Sequence, residues 1–460
     1  MQPSPPLSTK AVTAPSRSPS GPAPERLNAF TRDPFEGYFE GKSADDLVEP
    51  GSLLDTANVK RWFEIFGDGL PESLYTYQLP LARAAGPESG ALGSDFVMFS
   101  SYSYLGLIGH PRLTAAVNDA VERFGTSCGG VRLLTGTLEL HLELERELAA
   151  FLGHEAAATF ASGYDANIAA ITALFGPDDH AILDQYAHQS IQDGVRMAGC
   201  QARRFRHNDM SDLERRLRQA RSKGAKRILV AVDSVFSMDG DQVPLAQVIE
   251  LKDRYGAFLL VDEAHSIGAI GAEGRGICEA QGVDPRRIDI ATGSLSKAIP
   301  SSGGFLAGSL PLKIYIQHGS APYIFSAAVT PANAAAALES LRIILDEPEH
   351  LVRLRENTRV LRDGLCRLGL PTGPSTTPVV PVLLGDEWRA YRWARRLLAR
   401  GVFVSAVTYP AVSPGLARLR LCATAAHRPE HFQRLFDALE ECLDVERRSG
   451  GAGGAAHASL

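Results

Sequence analysis

The 460-residue chain is 45% hydrophobic, 22% charged and 7% aromatic, with a formal net charge of −6. That profile fits a globular protein of one large domain and a smaller companion, and it lacks the basic excess of a nucleic-acid binder. No apolar run approaches the ~18 residues of a membrane helix. The six cysteines (Cys128, Cys200, Cys278, Cys366, Cys422, Cys442) form no CxxC or Cys/His pair at zinc spacing, which points to reduced thiols in a cytoplasmic enzyme without a metal site.

Residues 1–25 are rich in Pro, Ser and Ala and bury too little apolar surface to offset their ordering entropy, so they are expected to be disordered. Their prolines and missing amphipathic period argue against a transit peptide. Residues 26–98 are expected to form an N-terminal arm or subdomain. From Phe99 to Thr330 short β-branched runs (180–184, 227–232, 258–263, 288–293) alternate with helical patterns such as DLERRLRQARSKG and PLAQVIELKDRYG. This alternation predicts an α/β domain with a mostly parallel sheet, whose active residues gather beyond the strands' carboxyl ends. Residues 331–446 read as a smaller C-terminal α+β domain. It opens with the helix PANAAAALESLRIILD, continues with two charged helices, and includes strands in TPVVPVLLG and LARLRLCAT. The Gly/Ala-rich tail, 447–460, is expected to be disordered.

Gly163, His188, Asp262, His265 and Lys297, in that order along the chain, form the combination that carries the chemistry. Lys297 follows the strand IDIATG in a small-residue loop, and Asp262 ends the strand FLLVD, 35 residues earlier. One helix and one strand fit that interval, so amine and carboxylate can face one crevice. Pyridoxal phosphate needs this pair, a lysine for its aldehyde and an acid for its ring nitrogen. His265 is placed to reach the ring hydroxyl, and His188 follows a strand where an imidazole could stack on the ring. In FASGYDAN, Ser162, Gly163 and Tyr164 open a helix whose amides suit a phosphate. GAIGAEGRG has the wrong spacing for a dinucleotide loop, and no GxxxxGK[ST], HExxH or GxSxG occurs.

From Phe99 to His427 the chain resembles the α-oxoamine synthase family of fold-type-I pyridoxal phosphate enzymes. The resemblance rests on SYLGL, FGTSCGGVRLLTGT, HLELERELA, SGYDAN, FRHND, DSVFSMDGD, VDEAHSIGAIGAEGRG, GSLSKA and LRLCATAAH. FRHN, VDEAHS, GRGICEAQG and PYIFSA are most similar to the bacterial serine palmitoyltransferase branch, with 8-amino-7-oxononanoate synthase beside it. The resemblance implies that Lys297 bonds the cofactor and shuttles the α-proton, with Asp262 on the ring nitrogen, His265 on the ring oxygen and His188 over the ring face. It also implies phosphate contacts from Gly163, Tyr164, Ser162 and Ser294, and from Ser326 of a second subunit, with Ser237 also in the cofactor site. Arg420 would hold the amino-acid carboxylate, which suits a guanidinium in any case.

The implied reaction is decarboxylative condensation of an amino acid with an acyl thioester, carried by CoA or an acyl carrier protein, in a homodimer with shared sites. Three departures bear on substrate choice. Ser103 stands where the family often has Asn, Asp233-Ser234 where Glu-Gly is common, and Ala298-Ile299-Pro300 where a small-Phe-Gly run is usual. An aminotransferase using the same cofactor, and a catalytically inactive binding subunit, are the alternatives; the intact Lys297 and Asp262 weigh against the second.

Overall fold

The computed structural model describes Lys42, residues 44–69, Leu74 and residues 76–451; the segment 1–25 and residues 452–460 lie outside the described residues. Two helices, Ala44–Leu47 and Ala57–Gly69, precede a hairpin of β1 (Glu88–Ala91) and β2 (Ser94–Met98).

Seven strands follow: β3 (Ala156–Phe160), β4 (His180–Asp184), β5 (Gln201–Phe205), β6 (Ile228–Asp233), β7 (Phe258–Asp262), β8 (Ile290–Ser296) and β9 (Pro300–Gly308). They form one sheet in the order β3-β9-β8-β7-β6-β4-β5. The five strands from β5 to β8 run parallel, and β9 is antiparallel to both its neighbours. Alternate side chains leave opposite faces of a strand. Accordingly Ile182, Val230, Val232, Leu259 and Val261 enter one core, whereas Ala181, Leu183, Leu229, Ala231 and Leu260 enter another. A sheet buried on both faces needs helices on both sides, hence the continuous apolar runs of β4 and β6. Helix Pro331–Asp346, with Thr330 as N-cap and Pro331 at its first position, lays its alanines against helices Pro111–Phe124 and Glu139–Leu152.

A second core gathers around β10 (Val379–Gly385), β11 (Val402–Phe403), β12 (Ser405–Val407) and β13 (Ala417–Cys422). Strand β13 lies between β10 and β12, antiparallel to both. Helices Glu349–Arg367, Glu387–Ala399 and Pro429–Gly451 belong to the same unit. Strand β11 pairs in parallel with β2, and Val97 and Phe99 enter this core, so residues 88–99 are built into the C-terminal unit. Phe99 also stacks on His427, with ring centroids 4.2 Å apart. The last helix runs to Gly451, past the expected end at residue 446. Glu446 anchors it there by accepting from Arg389 and from the Trp393 indole.

Candidate active site

Strands β4, β6 and β7 each end in an aspartate: Asp184, Asp233 and Asp262. Asp233 and Asp262 are register partners, as are Asp262 and Thr292. Lys297 follows the end of β8. These strand ends open on a cavity of about 210 Å³ lined by Ser162, Gly163, Tyr164, His188, Asp233, Val235, Asp262, Ala264, His265, Ser294, Ser296 and Lys297. Eight of the expected site residues therefore meet in one crevice.

Asp262 is held rigidly. Its Oδ2 accepts from Asn167 Nδ2 at 2.7 Å and its Oδ1 from the Ala264 amide at 2.9 Å. Asn167 is itself oriented by Thr292 Oγ1, which donates to its Oδ1 at 2.6 Å, and its Nδ2 also reaches Ser190 Oγ at 2.9 Å. Ser190 Oγ continues to His188 Nδ1 at 2.7 Å. With Ser190 donating to Nδ1, neutral His188 carries its proton on Nε2. The His188 ring surface opens into the cavity, yet the protein mass around it lowers its pKa against the opposing pull of Asp262. Burial also lowers the pKa of Lys297, with Asp262 opposing and Arg420 reinforcing, so the amine gives up its proton more readily than a free lysine.

His265 is buried, and burial together with the positive charge of Lys297 and Arg420 holds its pKa well below the usual imidazole range. Its Nδ1 lies 2.8 Å from the Tyr104 hydroxyl, whose own proton burial retains. Tyr104 thus donates to Nδ1, leaving Nε2–H as a donor. Asp233 accepts from the His188 amide, and burial beside ionised Asp262 raises its pKa well above the carboxylate range.

Ser162 caps helix Gly163–Leu174, accepting from the Asp165 amide. The first amides of that helix lack intrahelical partners, and Ser162, Gly163 and Tyr164 line the crevice. The helix start can sit here because residue 304 is glycine. A Cβ at Gly304 would stand 2.3 Å from the Ser162 carbonyl oxygen and 2.4 Å from the Gly163 nitrogen.

Arg420, on β13, reaches the site from the second unit. It is buried at 3% exposure, donates from Nε to the Ser237 carbonyl at 2.6 Å and packs over the Tyr102 ring. Its Nη1 meets Cys422 Sγ, and its Nη2 has no hydrogen-bond partner. A buried guanidinium with no carboxylate beside it among the described residues is a ready receptor for one.

Besides Arg420, three expected residues lie outside the cavity lining. Ser237 lies in the turn begun at Phe236 and contributes its carbonyl to Arg420. Ser103 is buried with an unpartnered Oγ. Ser326 follows the short helix Ala321–Phe325, next to the bridge between Val131 and Ala327. Ala298 and Ile299 are buried in the core. Sequence reasoning missed Asn167, Ser190, Thr292 and Tyr104. Asn167 offered a signal, since it lies one helical turn beyond Gly163 on the same helix face. A separate cluster, His110, Glu347 and His350, has ligand-type side chains close together. There each imidazole accepts on Nδ1, from the Arg112 amide and from Arg353, which leaves Nε2–H to donate to Glu347.

The family profile described as aminotransferase class I and II matches residues 94–439. The chain is 40% identical over 361 residues to 8-amino-7-oxononanoate synthase 1 of Bacillus subtilis, covering 78% of this chain and 91% of that one. It is 35% identical over 387 residues to serine palmitoyltransferase of Sphingobacterium spiritivorum, covering 84% and 96%. Among solved structures, serine palmitoyltransferase from S. paucimobilis superposes with a TM-score of 0.82 at 32% identity, covering 86% of this chain and 99% of that one.

Proposed function

The chain belongs to the class I and II aminotransferase family and stands among its α-oxoamine synthases, and we propose that it condenses an amino acid with an acyl thioester, with loss of carbon dioxide, on pyridoxal 5′-phosphate held at the strand ends. The residues present fit that cofactor: one depressed amine, one rigid carboxylate and a helix start kept open by Gly304 share a crevice. Lys297 would bond it and Asp262 would pair with its ring nitrogen. His265 would donate to the ring oxygen and neutral His188 would cover the ring face. The amides of Gly163 and Tyr164, with Ser162 and Ser294, would take the phosphate. The bound cofactor supplies an electron sink for charge developing at the amino acid's Cα.

The chain's own residues do the rest. Arg420 grips the amino-acid carboxylate and fixes which Cα bond is aligned to break. Lys297, neutral more readily than a free lysine, takes the Cα proton. Cα then bonds to the acyl carbonyl carbon, the carbon–sulfur bond breaks and the thiolate departs, taking a proton from solvent. The carboxylate leaves as carbon dioxide, and Lys297 returns a proton to give an α-aminoketone.

We further infer a homodimer. Leu134 and Phe325, beside the bridge between Val131 and Ala327, are 78% and 81% exposed, an apolar surface that a second copy would cover. The same contact would bring Ser326 toward the partner's phosphate site. CoA is the inferred thiol, with an acyl carrier protein as the competing donor to be assayed beside it. The free cysteines fit a reducing cytoplasm. No helix among the described residues is long and apolar enough to cross a membrane.

The convergence of Lys297 and Asp262 on one cavity carries this reading. To test it, holoprotein is incubated with L-serine, L-alanine or glycine and acyl-CoAs of graded length, with a thiol trap present. Thiol release that needs both substrates is expected, with borohydride fixing the cofactor to the Lys297 peptide. Keto-acid formation without thiol release from any pair would overturn the reading in favour of transamination.

A further inference from the structure

His207 lies outside the cavity lining, in the FRHND segment, between two aspartates. Its Nδ1 is 3.0 Å from Asp184 Oδ1 and its Nε2 is 2.8 Å from Asp241 Oδ2. The ring packs against Tyr186 on one side and the edge of Phe236 on the other. Neighbouring Asn208, at φ 51°, donates its amide to Asp184 Oδ2 and its side chain to Asp241 Oδ2 and the Gln242 carbonyl. Asp241 is buried, its Oδ1 has no hydrogen-bond partner, and its Oδ2 faces the His207 ring.

Each aspartate belongs to a segment that serves the site. Asp184 ends β4 and accepts from the Tyr186 and Ala187 amides through its side chain and carbonyl, shaping the loop that delivers His188. Asp241 lies in the turn after β6, where its carbonyl accepts from the Phe236 amide and Gly240 N–H donates to the Phe236 carbonyl. That turn presents the Ser237 carbonyl to Arg420, and the Met238 carbonyl and Asp239 carboxylate to Arg418. It is wedged against the second unit. A Cβ at Gly240 would meet the Val379 carbonyl oxygen at 1.9 Å, and the Gly240 carbonyl accepts from Thr377 and the Thr376 amide.

We propose that His207 is a positioning residue: a charged imidazolium pinned between Asp184 and Asp241 that locks the loop carrying His188 to the turn carrying Ser237, and so aims Arg420 at the carboxylate of the bound amino acid. The proposal rests on the reading of Arg420 given above, and its test separates the two. Loss of the imidazolium removes the charged tie between loop and turn, leaving the neutral Asn208 link. It also leaves Asp241 a buried carboxylate without the His207 counter-charge, so the turn's aim relaxes while its seat on the second unit holds. Lys297 and the Asn167-braced Asp262 do not involve His207, and His188 keeps its own hydrogen bonds to Ser190 Oγ and, through its amide, to Asp233, so the groups that face the cofactor stay in place.

The test titrates L-serine, L-alanine and glycine into holoenzyme, followed by the cofactor's visible absorbance, for wild type, His207→Gln, Arg420→Lys and the double variant. In His207→Gln the amino-acid dissociation constant should rise about tenfold or more, the loss that follows when charged hydrogen bonds are removed. The cofactor dissociation constant should stay within about twofold, and in the Arg420→Lys background His207→Gln should add little further loss. Asp241→Asn, a milder cut on the same tie, should show the same selective loss to a smaller degree and decides the matter if His207→Gln does not fold. Additive effects in the double variant would overturn the proposal. So would equal weakening of cofactor and amino acid, or normal amino-acid binding in either His207→Gln or Asp241→Asn. An Arg420→Lys enzyme with normal amino-acid affinity would instead overturn the reading of Arg420.

Discussion

Replacing Asn167 with alanine removes one of the two side-chain-directed donors that hold Asp262, at 2.7 Å, and leaves only the Ala264 amide. A hydrogen bond to a charged group is worth about 1.5–3 kcal/mol, a factor of roughly ten to a hundred in any equilibrium that depends on it. If Asp262 pairs with the cofactor's ring nitrogen, its rotamer and charge enter that equilibrium directly. Asn167→Ala apoprotein should therefore bind pyridoxal phosphate roughly ten- to a hundredfold more weakly, measured by titration at the cofactor's visible band. The apoprotein should also lose about 1–3 kcal/mol of stability, because the Thr292 and Ser190 hydroxyls lose a buried partner. Lys297 is untouched, so borohydride should still fix the cofactor to the Lys297 peptide at saturating concentration. Cofactor affinity within about twofold of wild type, with the fold intact by circular dichroism, would refute the argument. Asp262 would then either be held well enough by Ala264 alone or make no contact with the ring.

Four further outcomes are expected. Burial depresses the pKa of Lys297, so its charge opposes folding at neutral pH; Lys297→Met apoprotein should be the more stable in urea at pH 7, with the gain shrinking as pH climbs toward the ordinary lysine value of 10.5, and should show no turnover. For His207, burial lowers the pKa but the Asp184 and Asp241 contacts outweigh it and raise it from 6.5 to about 10, so its ion pairs stabilise fully below 6.5 and are lost as pH rises through 10. The urea-stability gap between wild type and His207→Gln should narrow across that window by up to about 1.4 kcal/mol per pH unit. Gly304→Ala drives a methyl into the Ser162–Gly163 backbone and should lower thermal stability by about 1–3 kcal/mol, with a weakened phosphate site read as reduced cofactor occupancy. Leu134→Asp should yield monomers by light scattering, with poorer cofactor retention if Ser326 of a second copy reaches the phosphate.

The sheet was legible because β4, β6 and β7 are continuous apolar runs ending in aspartate, and strands buried on both faces read that way. Strand β5 was not: Gln201, Arg203 and Arg204 make it an exposed edge strand whose charges blunt further pairing and erase the apolar signal. Strand β9 begins Pro-Ser-Ser-Gly-Gly, a loop-like composition, because Gly304 must let the helix start at Ser162 and Gly163 come close. The N-terminal hairpin's place beside β11 is set by pairing across the whole chain, which no local pattern records.

At the site the division follows the same physics. Lys297, Asp262, His188 and His265 stood out because their types fit one chemistry and their order fits successive strand ends. Asn167, Thr292 and Tyr104 did not, since an amide, a hydroxyl and a phenol have many structural uses and acquire a function here only through contacts spanning 95 to 161 residues. These are the residues that determine whether Asp262 is rigid and which imidazole nitrogen carries its proton. A sequence thus exposes groups that react, whereas those that orient them become visible only when the fold closes. The braces carry consequences of comparable size: one charged hydrogen bond shifts an affinity by roughly ten- to a hundredfold, within the range of a catalytic base's ~10²–10⁴. Substitutions at Asn167 and His207 should accordingly separate cofactor binding from amino-acid binding, which substitution of Lys297 cannot do because that residue serves both.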